Sequence, residues 1–207
     1  MKKRFLFITG LITLILGSVY ISGCKKVNIV TNTTEDVNIV GYLDKRPDSF
    51  SLFRQILERT GTASFLNAYG AYTCFAPTNS GVTAYLQKIG AASVEAADLN
   101  TLKDMVRLHL LEDTIYTNSF TDGKLPVITM YGQYLVTAVT NKGGVSSYII
   151  NRQALVEESN IRVGNGIIHV IDNVLLPAVK TTSQQLEEKP EYSIFVQAMK
   201  ATGFLTN

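Results

Sequence analysis

Asn165-Gly166-Ile167-Ile168-His169-Val170-Ile171-Asp172-Asn173-Val174-Leu175-Leu176-Pro177 is the stretch on which the fold turns. Nine of its thirteen residues are apolar, Gly or Pro. It opens on the turn signal Gly164-Asn165-Gly166 and stops at Pro177. The run from Ile167 to Leu176 is too short and too β-branched for a membrane helix. It carries Ile167, Ile171 and Leu175 on one face, and Ile168, Val170, Val174 and Leu176 on the other. Apolar residues on both faces predict a central strand covered on both sides. An α+β domain built around this strand is the expectation.

A chain of 207 residues holds one full domain with flanking segments. Apolar residues make up 46% and charged residues 17%, which describes a globular and not a disordered chain. The formal charge of +2 includes Lys2, Lys3 and Arg4, which lie in a leader. Without them sixteen basic side chains face seventeen acidic ones, so charge gives no reason to expect nucleic-acid binding. The two cysteines, Cys24 beside the leader and Cys74 in an apolar run, do not make a disulfide scaffold.

Residues 1–23 have the layout of a secretory signal: Met1-Lys2-Lys3-Arg4, then seventeen uncharged residues from Phe5 to Ile21. Ile21-Ser22-Gly23-Cys24 resembles the lipobox of bacterial lipoproteins, which implies cleavage before Cys24 and a thioether lipid on its thiol. An uncleaved anchor and plain secretion are the other two readings of the same segment. Each buried CH₂ of an acyl chain contributes about 0.8 kcal/mol, so several chains hold a domain firmly on a bilayer. Lys25, in place of the Asp that would suggest inner-membrane retention, points to an outer-membrane lipoprotein facing either the periplasm or the surface. Residues 24–36, ending in Thr31-Asn32-Thr33-Thr34-Glu35-Asp36, read as the lipidated cysteine and a polar tether.

An early strand is expected over Val37 to Tyr42, and a helix from Asp48-Ser49 to Thr60-Gly61 on the spacing of Leu52, Phe53, Ile56 and Leu57. A short helix follows over Ala63 to Tyr69 and a strand over Tyr72 to Ala76. Thr78 or Asn79 then caps a helix carrying Val82, Tyr85, Leu86 and Ile89. Leu99 to Leu111 reads as another helix. From Thr114 the period becomes two. Strands are expected over Thr114 to Ser119, Val127 to Met130, Gln133 to Thr140 and Val145 to Asn151, the last pair joined by a turn at Asn141-Lys142-Gly143-Gly144. Ala154 to Asn160 leads through Ile161-Arg162-Val163 into the opening strand.

Two stretches about ninety residues apart now stand together. Thr73-Cys74-Phe75-Ala76-Pro77-Thr78-Asn79 resembles the first signature of fasciclin domains, and Gly166 to Pro177 resembles the second. Leu108-His109-Leu110-Leu111 resembles the family's central Tyr-His motif, with Leu108 where Tyr is usual. The resemblance implies a fasciclin-type β-wedge of about seven strands with several helices packed on one side, over residues 37–180. It also implies structural roles for Phe75, Ala76, Pro77, Thr78, His109, Gly166, His169, Asp172 and Pro177. Ser51-Leu52-Phe53-Arg54-Gln55 and Ser193-Ile194-Phe195-Val196-Gln197 align, so residues 187–207 resemble the first helix of a second, truncated fasciclin domain.

The two histidines, His109 and His169, could serve as a metal pair or an acid–base residue, or as buried groups satisfied by backbone partners. No ligand cluster accompanies them in sequence, so the structural role is expected, with no metal and no cofactor. Asp172 alternates away from His169, which makes a dyad within the strand geometrically poor. No nucleophile elbow, phosphate loop or zinc-protease motif is present, and no enzyme is expected. Cys74 has no basic neighbour in sequence and reads as a small core residue. Tyr131, Tyr134 and Tyr148 offer a candidate glycan or protein platform. Some animal fasciclin domains bind integrins through an Asp-Ile pair before the second signature. Here Asn160-Ile161-Arg162 stands there, so that integrin motif is absent. The expected role is adhesion or binding of an extracellular protein or polysaccharide, by a domain tied to a membrane through lipid on Cys24. An accessory glycan-binding module of an outer-membrane uptake system is the alternative.

Overall fold

The structure is a computed structural model, and it describes residues 37–67, 70–142, 145–178 and 180–205. The leader, Cys24, the tether and the Gly143-Gly144 turn lie outside the described residues.

The apolar patterns organise into seven strands: β1 (Tyr72–Pro77), β2 (Leu110–Leu111), β3 (Gly123–Ile128), β4 (Tyr134–Lys142), β5 (Val145–Ile150), β6 (Ala154–Val163) and β7 (Gly166–Ile171). Their order in the sheet is β2-β1-β7-β6-β5-β4-β3. β7 lies between a parallel β1 and an antiparallel β6, so it is central as expected. The two ends of the sheet nearly meet. Leu111 bridges to Thr129, and the N–H of Met130 donates to the Leu110 carbonyl at 2.9 Å. The result is a nearly closed wedge.

Seven α-helices are described: α1 (Ile39–Asp44), α2 (Pro47–Arg59), α3 (Thr62–Leu66), α4 (Asn79–Lys88), α5 (Leu99–Leu108), α6 (Thr182–Glu187) and α7 (Ser193–Ala201). Residues of α1 to α5 share one core with Cys74 and Ala76 of β1 and Ile168 and Val170 of β7. Phe75 and Ile171 point the other way, into a second core inside the wedge with Phe120, Leu125, Leu135 and Ile150. This explains why β1 and β7 are apolar at nearly every position: each is covered by helices on one face and by the wedge interior on the other.

Four local expectations are corrected. Residues 39–44 form a helix and not a strand. The Asn38 side chain caps it by accepting from the Gly41 N–H at 2.8 Å, and Ile39, Val40, Tyr42 and Leu43 all become buried at helical spacing. Helix α5 ends at Leu108, because His109 leaves it as a cap and Leu110–Leu111 join β1. Thr117–Ser119 is one 3-10 turn, held by the Asn160 side chain, which accepts from the Thr117 N–H at 2.9 Å. The run expected to be one strand to Leu176 leaves the sheet after Ile171. Asp172 still donates its N–H to Leu155 of β6, and from Val174 to Leu176 side chains instead of a neighbouring strand accept from the backbone N–H groups.

Helix α7, whose Ser193, Phe195 and Gln197 align with Ser51, Phe53 and Gln55 of α2, lies in a different setting. Phe53 in α2 is fully buried, whereas Phe195 is 52% and Ile194 81% exposed.

Candidate functional site

Both signatures converge on β1 and β7, paired in register from Tyr72↔Gly166 to Pro77↔Ile171. Gly166 has φ +151, and a Cβ there would lie 2.0 Å from the Tyr72 carbonyl oxygen. Only glycine permits this close approach. At the other end of β1, Thr78 caps α4 by accepting from the Gly81 N–H. Asn79 ties α4 to the start of α2. It accepts from the Leu52 N–H at 2.9 Å, and its amide donates to the carbonyls of Pro47 and Asp48.

His109 is fully buried. Its Nε2 accepts from the Leu175 N–H at 3.0 Å, so its proton is on Nδ1, which donates to the Met105 carbonyl at 2.7 Å. His169 is the other tautomer. Its Nε2–H donates to the Ile115 carbonyl at 2.8 Å, and Nδ1 accepts from the Asn160 N–H at 3.4 Å. His169 stacks on Phe75 at 5.3 Å and meets Phe120 at 5.0 Å. Burial pushes both imidazoles down to about 4, against a smaller upward effect of the carbonyl each one faces. Each ring acts as a neutral cross-link between two backbone segments. Among the described residues no group of three or more His, Cys, Asp or Glu is placed to hold a metal ion.

Asp172 does not approach either imidazole in a hydrogen bond. Its carboxylate accepts from the Leu155 N–H at 2.7 Å, while its own N–H donates to the Leu155 carbonyl at 3.0 Å. Pro177 lies in the segment after β7, which is held by Gln153 and Gln133, two residues outside every sequence motif. Gln153 accepts from the Leu176 N–H at 2.7 Å and donates to the Leu176 carbonyl at 3.3 Å. Gln133 does the same to Ala178, at 3.0 and 2.9 Å. Each carboxamide thus mimics a strand partner. Cys74 is buried, and burial pushes its thiol up to about 12.

The three tyrosines do not form one platform. Tyr148 points into the wedge and meets Phe120 edge-on at 5.2 Å. Tyr131 packs against that same core from beside α5. Tyr134 alone is exposed, at 44%, with the Lys124 ammonium 4.1 Å above its ring. The Asn160-Ile161-Arg162 stretch is also committed. Asn160, at φ 58, is bonded to Thr117, Ile161 is buried, and the Arg162 guanidinium sits 5.7 Å from the Tyr116 ring.

A nearly closed seven-stranded wedge, helices against its central strands and two cross-linking histidines define the class. The chain belongs to the fasciclin-domain family, whose model, described as "Fasciclin domain", matches residues 48–177. It is similar to human stabilin-1, at 28% identity over 139 residues, 67% of this chain and 5% of that protein. It is similar to the transforming growth factor-beta-induced protein ig-h3 of Sus scrofa, at 24% identity, covering 86% of this chain and 24% of the relative. The chain therefore spans a quarter or less of these relatives' length. Among solved structures it is similar to a FAS1 domain pair from the insect cell adhesion molecule fasciclin I. There the TM-score is 0.48 and the identity 20%, over 73% of this chain and 53% of that one.

Among the described residues no helix is long and apolar enough to cross a membrane.

Proposed function

We propose that this chain is a lipid-anchored, outer-membrane fasciclin-domain protein that acts in adhesion, binding an extracellular protein or polysaccharide rather than turning over a substrate. One observation carries the reading. The groups that could have done chemistry, His109, His169 and Cys74, are each buried, and both rings are fully engaged with backbone. The family motifs thus build a rigid support, and recognition falls to the surface that it holds in place. The basic start, the apolar run and Cys24 support anchoring through lipid.

Labelled fatty acid fed to cells making the full chain tests the anchor. Label in the wild type and none in Cys24→Ala, with loss of the variant from outer-membrane fractions, is the expected result. Label that persists in the variant would refute the anchor. Cells that adhere to a protein or polysaccharide surface no better with the chain than without it would refute adhesion.

A further inference from the structure

We propose that the cavity between the α2–α3 turn and helix α5 binds a uronic-acid residue of an acidic polysaccharide. This deepens the reading above and rests on it for the class of partner. The cavity measures about 330 Å³ and is lined by Thr60, Thr62, Phe65, Lys103, Arg107 and an apolar floor of Val106, Leu110 and Met130. That is the lower end of the range for pockets that hold small molecules.

Its charge is one-sided. Lys103 and Arg107 lie one turn apart on α5, both are exposed, and among the described residues no carboxylate lines the cavity. Among the described residues neither has an ion-pair partner, although Arg46, Arg54, Lys180 and Lys200 all have one. Like charges four residues apart on a helix oppose each other. An anion between them removes that repulsion, and the arginine fork suits a carboxylate.

The hydroxyls separate a sugar from a simple anion. The Thr60 hydroxyl donates to the Ile56 carbonyl at 2.9 Å, so in its 2.9 Å contact with Thr62 the proton comes from Thr62. Thr62 is left with oxygen lone pairs and no proton to give. The cavity therefore asks for a negative group and a hydroxyl donor on one ligand, and a uronate carries both on one ring. The apolar floor and the half-exposed Phe65 ring suit the C–H face of that ring. The floor is fixed in advance, because the sheet closes there: the Met130 N–H is bonded to the Leu110 carbonyl and the Tyr131 N–H to that of Arg107.

The test is calorimetric titration of the full chain in detergent with trigalacturonate, its methyl ester, galactotriose and triglutamate. Trigalacturonate alone binds, and added salt weakens it. Lys103→Ala/Arg107→Ala weakens it at least about tenfold. Thr62→Val also weakens it, and Thr62→Ser restores it. Both cations are exposed, so an unchanged unfolding midpoint certifies the double variant, and Lys88→Ala serves as the control. No saturable binding of trigalacturonate, equal binding of the ester or of triglutamate, or indifference to the double variant overturns the proposal. Cells that adhere while the purified chain ignores trigalacturonate refute this site and leave the adhesive reading standing. Binding without adhesion does the reverse.

Discussion

Acidification from pH 7.5 to 5 should weaken this domain substantially through its two histidines. Each native ring accepts a hydrogen bond from a backbone N–H, from Leu175 on His109 and from Asn160 on His169. A second ring proton would point at that donor, so protonation must break the contact and charge a buried group. The folded values sit at about 4, against about 6.5 in the unfolded chain. Between these values the unfolded state binds more protons, so stability falls as pH falls, by about 1.4 kcal/mol per histidine per pH unit. At pH 5 the two together remove about 4 kcal/mol, and below pH 4 the loss levels off near 7 kcal/mol. A domain of this kind has about 5–15 kcal/mol in total. The exposed carboxylates Glu95 and Asp98, which backbone hydrogen bonds hold below their ordinary range, stabilise the fold above their unfolded values. That contribution is lost only as pH drops below about 4.5. The window from pH 6.5 to 5 therefore belongs to the histidines. Urea unfolding at half-unit pH steps, with NMR of the imidazole nitrogens, reads both the slope and the tautomers. His109→Gln or His169→Gln, where folded, should halve the slope. Stability unchanged from pH 7.5 to 5.5, or native rings titrating near 6.5, would refute the argument.

Gly166→Ala should lower the melting temperature by about 10 °C or more, since its Cβ would sit 2.0 Å from the Tyr72 carbonyl oxygen at a strained φ; a shift under about 2 °C, measured by calorimetry, would contradict the close β1–β7 approach. Thr73→Val should cost about 1–3 kcal/mol for each group left without a partner. The hydroxyl now donates to the Asp113 carbonyl at 2.6 Å and accepts from the Ile115 N–H at 2.8 Å, and chemical denaturation would show a neutral swap if those bonds were idle. Cys74 should resist alkylation at pH 8 in the native chain and react at once in urea, because burial holds its thiol near 12; prompt native labelling, followed by mass spectrometry, would contradict its burial.

The parts of the fold that sequence disclosed were those with dense local signals. β1 and β7 are apolar at almost every position, and Thr78 precedes α4 as a capping residue should. At helix α1 the β-branched Ile39 and Val40 favour a strand locally, but burial of Ile39, Val40, Tyr42 and Leu43 on one helical face outweighs that preference. The end of β7 departs from its sequence pattern for a different reason. Val174, Leu175 and Leu176 look like strand residues, but their N–H groups go to Asn173, His109 and Gln153 side chains. Such partners lie up to 66 residues away in sequence and leave no periodic trace. Lys103 and Arg107 stand four residues apart on α5, but charges at that spacing on a helix carry no mark of a site in the sequence. The Thr62 and Phe65 that face them across the cavity come from α3, and nothing in sequence joins the two.

The arrangement separates two kinds of residue by what their loss should do. His109 and His169 each join two backbone segments, and neither reaches solvent. Removing either must act on the stability of the whole wedge first, and on any binding only through the fraction that remains folded. Lys103 and Arg107 are exposed and have no ion-pair partner among the described residues, so removing them must leave unfolding unchanged and act on binding alone, whereas Thr62, bonded to the Thr60 hydroxyl, is read against its own unfolding midpoint. Equal losses of binding and stability on both sets would mean that the motif strands themselves are the contact surface. That outcome is hard to reconcile with β1, which is buried at all six positions, and with β7, which is buried at all but its first.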